Sequence, residues 1–166
     1  MRRMFQLCLL LLLPLIATQA LALPAPLSNE QLMEKSTFVG VVRVLSVTCT
    51  ALTPDKETGE DLQHYLAKLE IVDVKKGDVK PGETILVTWR AIPRGLVLGN
   101  WTVNYYPGEE VRTHLTKAPG DVAYKSTWWN SKGQSIKEAE SMKLPMSAGE
   151  TFVPRQSVTP KQDVPL

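Results

Sequence analysis

The chain has 166 residues, with 19 Lys and Arg against 17 Asp and Glu and only two Cys. That length leaves room for one core of ordinary size, and two cysteines exclude a small domain framed by several disulfides. The near balance of charge lacks the strongly basic footprint of a nucleic-acid binder.

Arg2 and Arg3, followed by an apolar run over residues 4–16, have the form of a secretory signal peptide. Ala20-Leu21-Ala22 places small residues at both positions a signal peptidase reads, so cleavage is expected after Ala22. A membrane anchor is the rival reading, but spanning takes roughly 20 apolar residues, and Pro14, Thr18 and Gln19 interrupt this stretch. The Arg pair with Phe5 loosely suggests a twin-arginine signal, whereas the Leu run suits the general secretory route; Cys8 lacks the preceding small residues of a lipoprotein site and should leave with the signal. The expected localisation is periplasmic or secreted, with no membrane span left after cleavage. Without Arg2 and Arg3 the charge counts are equal, 17 and 17, so nucleic acid is not an expected partner. Cys49 is then the only thiol, read as a buried apolar side chain in a monomeric domain.

Ser28-Asn29-Glu30-Gln31 has the form of a capping box and predicts a short helix ending near Lys35 or Ser36. Residues 38–47 are too dense in Val for a favoured helix and predict a buried strand, with Gly40 marking a bulge or bend. Turn formers over residues 50–61 predict an exposed loop. Alternation at 65, 67, 69 and 71 predicts a second strand over 65–74, and Ile85, Val87 and Trp89 a third over 84–89, giving an antiparallel meander. Residues 90–108 read as a long structured loop rich in Pro, Gly and aromatics. Strands are expected at 110–116 and 122–129, and a short return strand at 134–139. From Leu144 on, Pro145, Pro154, Pro160 and Pro165 argue against regular pairing.

The pattern predicts a mostly β fold: a five-stranded OB-like Greek-key barrel with a short N-terminal helix and an extended Pro-containing C-terminal tail. The main alternative is a β-sandwich. The expected divisions are a signal peptide at 1–22, the barrel at 23–143 and the tail at 144–166.

Phe38-Val39-Gly40-Val41-Val42, Ala67-Lys68-Leu69-Glu70-Ile71 running into Lys76-Gly77, and Pro107-Gly108-Glu109-Glu110 opening a strand resemble the netrin-module and metalloproteinase-inhibitor type of OB fold, and similar bacterial exported proteins. The resemblance covers residues 28–134. It implies the fold and a binding role. Inhibitors of that family place an N-terminal cysteine on the catalytic metal, and here the expected N-terminus is Leu23-Pro24-Ala25, so that mechanism does not carry over.

No cofactor is expected, because His64 and His114 belong to no zinc spacing and no nucleophile elbow or phosphate loop is present. Cys49, His64, His114 and a Met could hold copper only if the fold converged them. Glu109 and Glu110, at a strand start, read as solvated charge. Trp89, Trp101, Trp128 and Trp129 lie close together in sequence with Tyr105, Tyr106 and Tyr124. Strand alternation requires that adjacent Trp128 and Trp129 point to opposite faces, leaving one exposed or covered by the long loop. Two readings follow: a second core formed by residues 90–108, or a partner-binding face of Trp101, Tyr105, Tyr106 and Trp129 with Arg94 and Arg112. The expected function is a noncatalytic module recognising an extracytoplasmic protein, as an inhibitor or assembly subunit. An oligosaccharide binder, and an enzyme or copper carrier, are the alternatives.

Overall fold

The structure is a computed structural model and describes residues 24–56, 59–91 and 103–154. The expected signal peptide, Arg94, Trp101 and the chain from Arg155 onward lie outside the described residues. The chain folds as helix α1 (Asn29–Lys35) and strands β1 (Phe38–Pro54), β2 (Asp61–Lys76), β3 (Thr84–Arg90), β4 (Glu110–Thr116), β5 (Lys125–Ser126), β6 (Lys132–Lys137) and β7 (Thr151–Phe152). No described helix is long and apolar enough to cross a membrane.

Helix α1 begins where the sequence requires it. The Ser28 side chain accepts from Gln31 N and the Gln31 side chain accepts from Ser28 N, which satisfies two amides that the first turn cannot pair internally. At the other end the Lys76 ammonium donates to the carbonyls of Met33 at 2.6 Å and Glu34 at 3.1 Å, where a cation offsets the unpaired last turn. Leu32 is the helix's buried residue.

The strands form a curled antiparallel sheet, a half-barrel, in the order β3-β2-β1-β4-β5, with β6 on β4 and β7 on β1. Strand β1 organises it: its first part pairs with β2 on one side and β4 on the other, and Val47 and Thr48 then exchange β4 for β7. The β1–β2 register shifts at Val39/Gly40, Val41/Val42, Val44/Ser46 and Cys49/Ala51, and such bulges bend and twist a strand. At Gly40 a side chain would overlap the Asp73 carbonyl and the Phe38 ring. A parallel bridge between Val87 and Tyr124 brings the edge at β3 to the segment entering β5. Phe38, Val44, Leu69, Ile71, Val87 and Leu115 fill the interior.

Three expectations change. The expected loop at 50–61 is strand over residues 50–54 and at Asp61, because β1 and β2 continue as a two-stranded arm to Pro54 and Asp61, and Asp55 N closes the remaining turn on Glu60 O at 2.8 Å. The strand expected over 122–129 shrinks to β5, and Trp128 and Trp129 fall in the turn that follows, so strand alternation does not apply to them. Residues beyond Leu144 do pair: β7 fits between Pro145 and Pro154 without using either, and Pro145 O accepts from the Tyr65 hydroxyl at 2.9 Å. The packed chain therefore extends past the boundary expected at 143.

Candidate functional site

The turn after β5 is anchored before it displays anything. Ser131 is buried; its Oγ accepts from Trp128 N, its own N–H donates to Trp128 O at 3.1 Å, and its carbonyl accepts from His114 N at 3.0 Å. Below it, the Thr127 hydroxyl lies 2.8 Å from both Ser36 Oγ and Thr116 Oγ1, tying the turn to the end of α1 and to β4. This base fixes the backbone from which Trp128, Trp129 and Asn130 project.

All three side chains hold the extended segment that precedes α1. Trp129 Nε1 donates to Pro24 O at 3.1 Å, Trp128 Nε1 to Ala25 O at 3.2 Å, and Asn130 Nδ2 to Leu27 O at 2.9 Å. Leu27 N returns a bond to Asn130 Oδ1 at 3.3 Å. Pro24, Ala25 and Pro26 are themselves exposed, and Trp128 keeps 37 % of its surface in solvent. The three side chains form a polar clip on a backbone.

The other candidate residues are dispersed. Tyr105 is wholly buried, its hydroxyl 2.6 Å from Thr113 Oγ1 and its ring edge-on to Trp89, so it belongs to the core and does not face a partner. Burial pushes its phenol up to about 12. Tyr106 is half-buried beneath the Lys132 ammonium, 5.2 Å from the ring centre. Arg112 is exposed on β4 and lines a groove of about 260 Å³ with Asn29, Glu30, Met33 and His114, just beyond the clipped segment. Of the expected face, the described structure places Trp129 in the clip and Arg112 beside the helix start.

Glu109 corrects the reading of solvated charge. It is 1 % exposed, its Oε1 accepts from Tyr106 N at 2.8 Å, and Lys132 Nζ lies 2.8 Å from both carboxylate oxygens. Gly108, at φ 84°, makes the turn that drives Glu109 inward.

The residues weighed for copper do not converge. The Cys49 thiol is buried against Ala51 O, and desolvation raises its pKa; His64 Nε2 lies 2.7 Å from Thr53 Oγ1, and His114 Nδ1 3.2 Å from Ser131 O. Among the described residues no group of three or more His, Cys, Asp or Glu is placed to hold a metal ion. A larger groove of about 830 Å³ lies between Tyr65, Asn104, Leu144 and Phe152, rimmed by exposed Met142 and Met146.

Sequence reasoning missed Trp128 and Asn130 as partners of Trp129, and missed what they hold. The available signal was Pro24 and Pro26 at alternate positions ahead of the capping box. Compared with family models, curated proteins and solved structures, the chain matches none of them.

Proposed function

We propose that the chain is an exported, noncatalytic binding module of the OB type that recognises a protein partner by its extended backbone at Trp128, Trp129 and Asn130. The strand order β3-β2-β1-β4-β5, with the parallel bridge from Val87 to Tyr124, supports the Greek-key barrel and with it the resemblance to netrin-type modules. Export rests on the signal-like residues 1–22.

The clip carries the functional reading. Adjacent tryptophans on a rigid turn direct both indole N–H groups at successive peptide carbonyls, Pro24 O and Ala25 O. Rigid aromatic side chains with one polar edge are the groups protein interfaces favour as anchors. A sugar would be taken by stacking on an open ring face, whereas here the polar edges carry the contact.

Titration of the full chain with a synthetic peptide containing Leu-Pro-Ala-Pro-Leu tests this. Binding should be saturable, and Trp129→Phe, which keeps an aromatic ring and removes the donor, should weaken it by up to about 0.5–1.5 kcal/mol for the lost bond, the full loss appearing where residues 24–27 do not themselves occupy the clip. Retention on a glycan array with no peptide binding would contradict it.

A further inference from the structure

The clip matches one backbone chemistry better than others. An indole N–H is only a donor, so Trp128 and Trp129 can recognise only acceptors. Pro24 and Pro26 have no N–H, so that stretch offers the clip carbonyls with only the Ala25 N–H between them. Leu27, the residue after the second proline, supplies the N–H that Asn130 Oδ1 accepts. Asn130 thus marks where the proline alternation has to stop.

Proline also sets the shape. Its ring fixes φ near roughly −65° and pushes the residue before it to extended backbone, so Ala25, between two prolines, is extended before it docks. A preformed extended segment loses little entropy on binding. Pro24, Ala25 and Pro26 are exposed and Leu27 alone is half-buried, so hydrogen bonds more than packing retain the segment. A second segment of the same chemistry can therefore replace it.

We propose that Trp128, Trp129 and Asn130 form a selective site for a partner's extended segment with prolines at alternate positions and a non-proline residue after the second. Residues 24–27 are the resident competitor that occludes this site in the free chain. The proposal rests on the reading of the clip as a protein-binding site, and it adds a ligand class and a means of control. The binding strength that a partner sees is set by how often the resident segment leaves.

The test compares the full chain with a Pro24→Gly, Pro26→Gly variant, each titrated with the Leu-Pro-Ala-Pro-Leu peptide and with a control in which glycines replace both prolines. Glycine loosens the resident segment and leaves every clip residue untouched. If that segment fills the clip about nine-tenths of the time, freeing the site should tighten peptide binding about tenfold. The glycine peptide should bind several-fold more weakly to both chains. Equal affinity for both chains, still reduced by Trp129→Phe, would overturn self-occlusion and leave the protein-binding reading intact. Equal affinity for the two peptides would overturn the proline preference. No binding by either chain would overturn both the proposal and the reading beneath it.

Discussion

Lys132 places its ammonium 2.8 Å from both carboxylate oxygens of Glu109, in a pair whose acid is 1 % exposed. The same ammonium donates to Asn104 O at 2.6 Å and lies over the rings of Tyr105 and Tyr106, so one cation joins β6 to the turn that opens β4. Removing one partner strands the other charge. Lys132→Met should cost about 3–5 kcal/mol, the usual penalty for breaking a buried pair, read from urea melts. Lys132→Met with Glu109→Leu should recover a large part of that loss, because the stranded carboxylate is gone.

Gly40 meets a steric limit where β1 bulges against β2. An added Cβ would overlap the Asp73 carbonyl and the Phe38 ring, and backbone cannot yield as a flexible side chain can. Gly40→Ala should therefore destabilise the fold by about 1–3 kcal/mol, as overpacking does. Gly133, where the nearest atom to an added Cβ is Arg112 O at 3.5 Å, should accept alanine within about 0.5 kcal/mol. Thermal melts of the two variants, measured together, check both values.

The parts legible in the sequence were those with a local cause. The hydroxyl and amide of Ser28 and Gln31 announce the helix start, alternation from Tyr65 to Ile71 names the inward face of β2, and Gly40 marks the bend. Pairings with no local signature were not legible. Strand β7 has two residues and exists because β1 leaves an edge open at Val47 and Thr48, a fact of distant register. Trp128 and Trp129 end a run over 122–129 that reads as strand, yet the bonds from Trp128 to Ser131 make a turn that distant partners hold: His114 on β4, and Ser36 through Thr127. The clip joins residues more than a hundred positions apart, so Trp129 could be singled out while its partner Pro24 could not.

Alkaline pH should reveal the buried phenols. Burial raises Tyr105 and Tyr65 from 10.0 to about 12, so between those values the unfolded chain loses these protons while the folded chain keeps them. Stability from this source is complete below about pH 10 and falls as pH rises through about 12. Tyr105→Phe should make that fall shallower than in the unsubstituted chain. An identical slope in chemical melts taken across this range would contradict the assignment.

The most direct measurement follows the indole N–H resonances of the full chain as the Leu-Pro-Ala-Pro-Leu peptide is added. Trp128 and Trp129 donate to the clipped segment, whereas Trp89 donates to Asn104 Oδ1 at 3.1 Å beside the core and serves as an internal control. Exchange of one extended segment for another should shift the Trp128 and Trp129 signals together along one saturating curve and leave Trp89 still. Signals from Trp128 and Trp129 that stay fixed at saturating peptide, or a shift confined to Trp89, would contradict recognition of a partner's backbone at the clip.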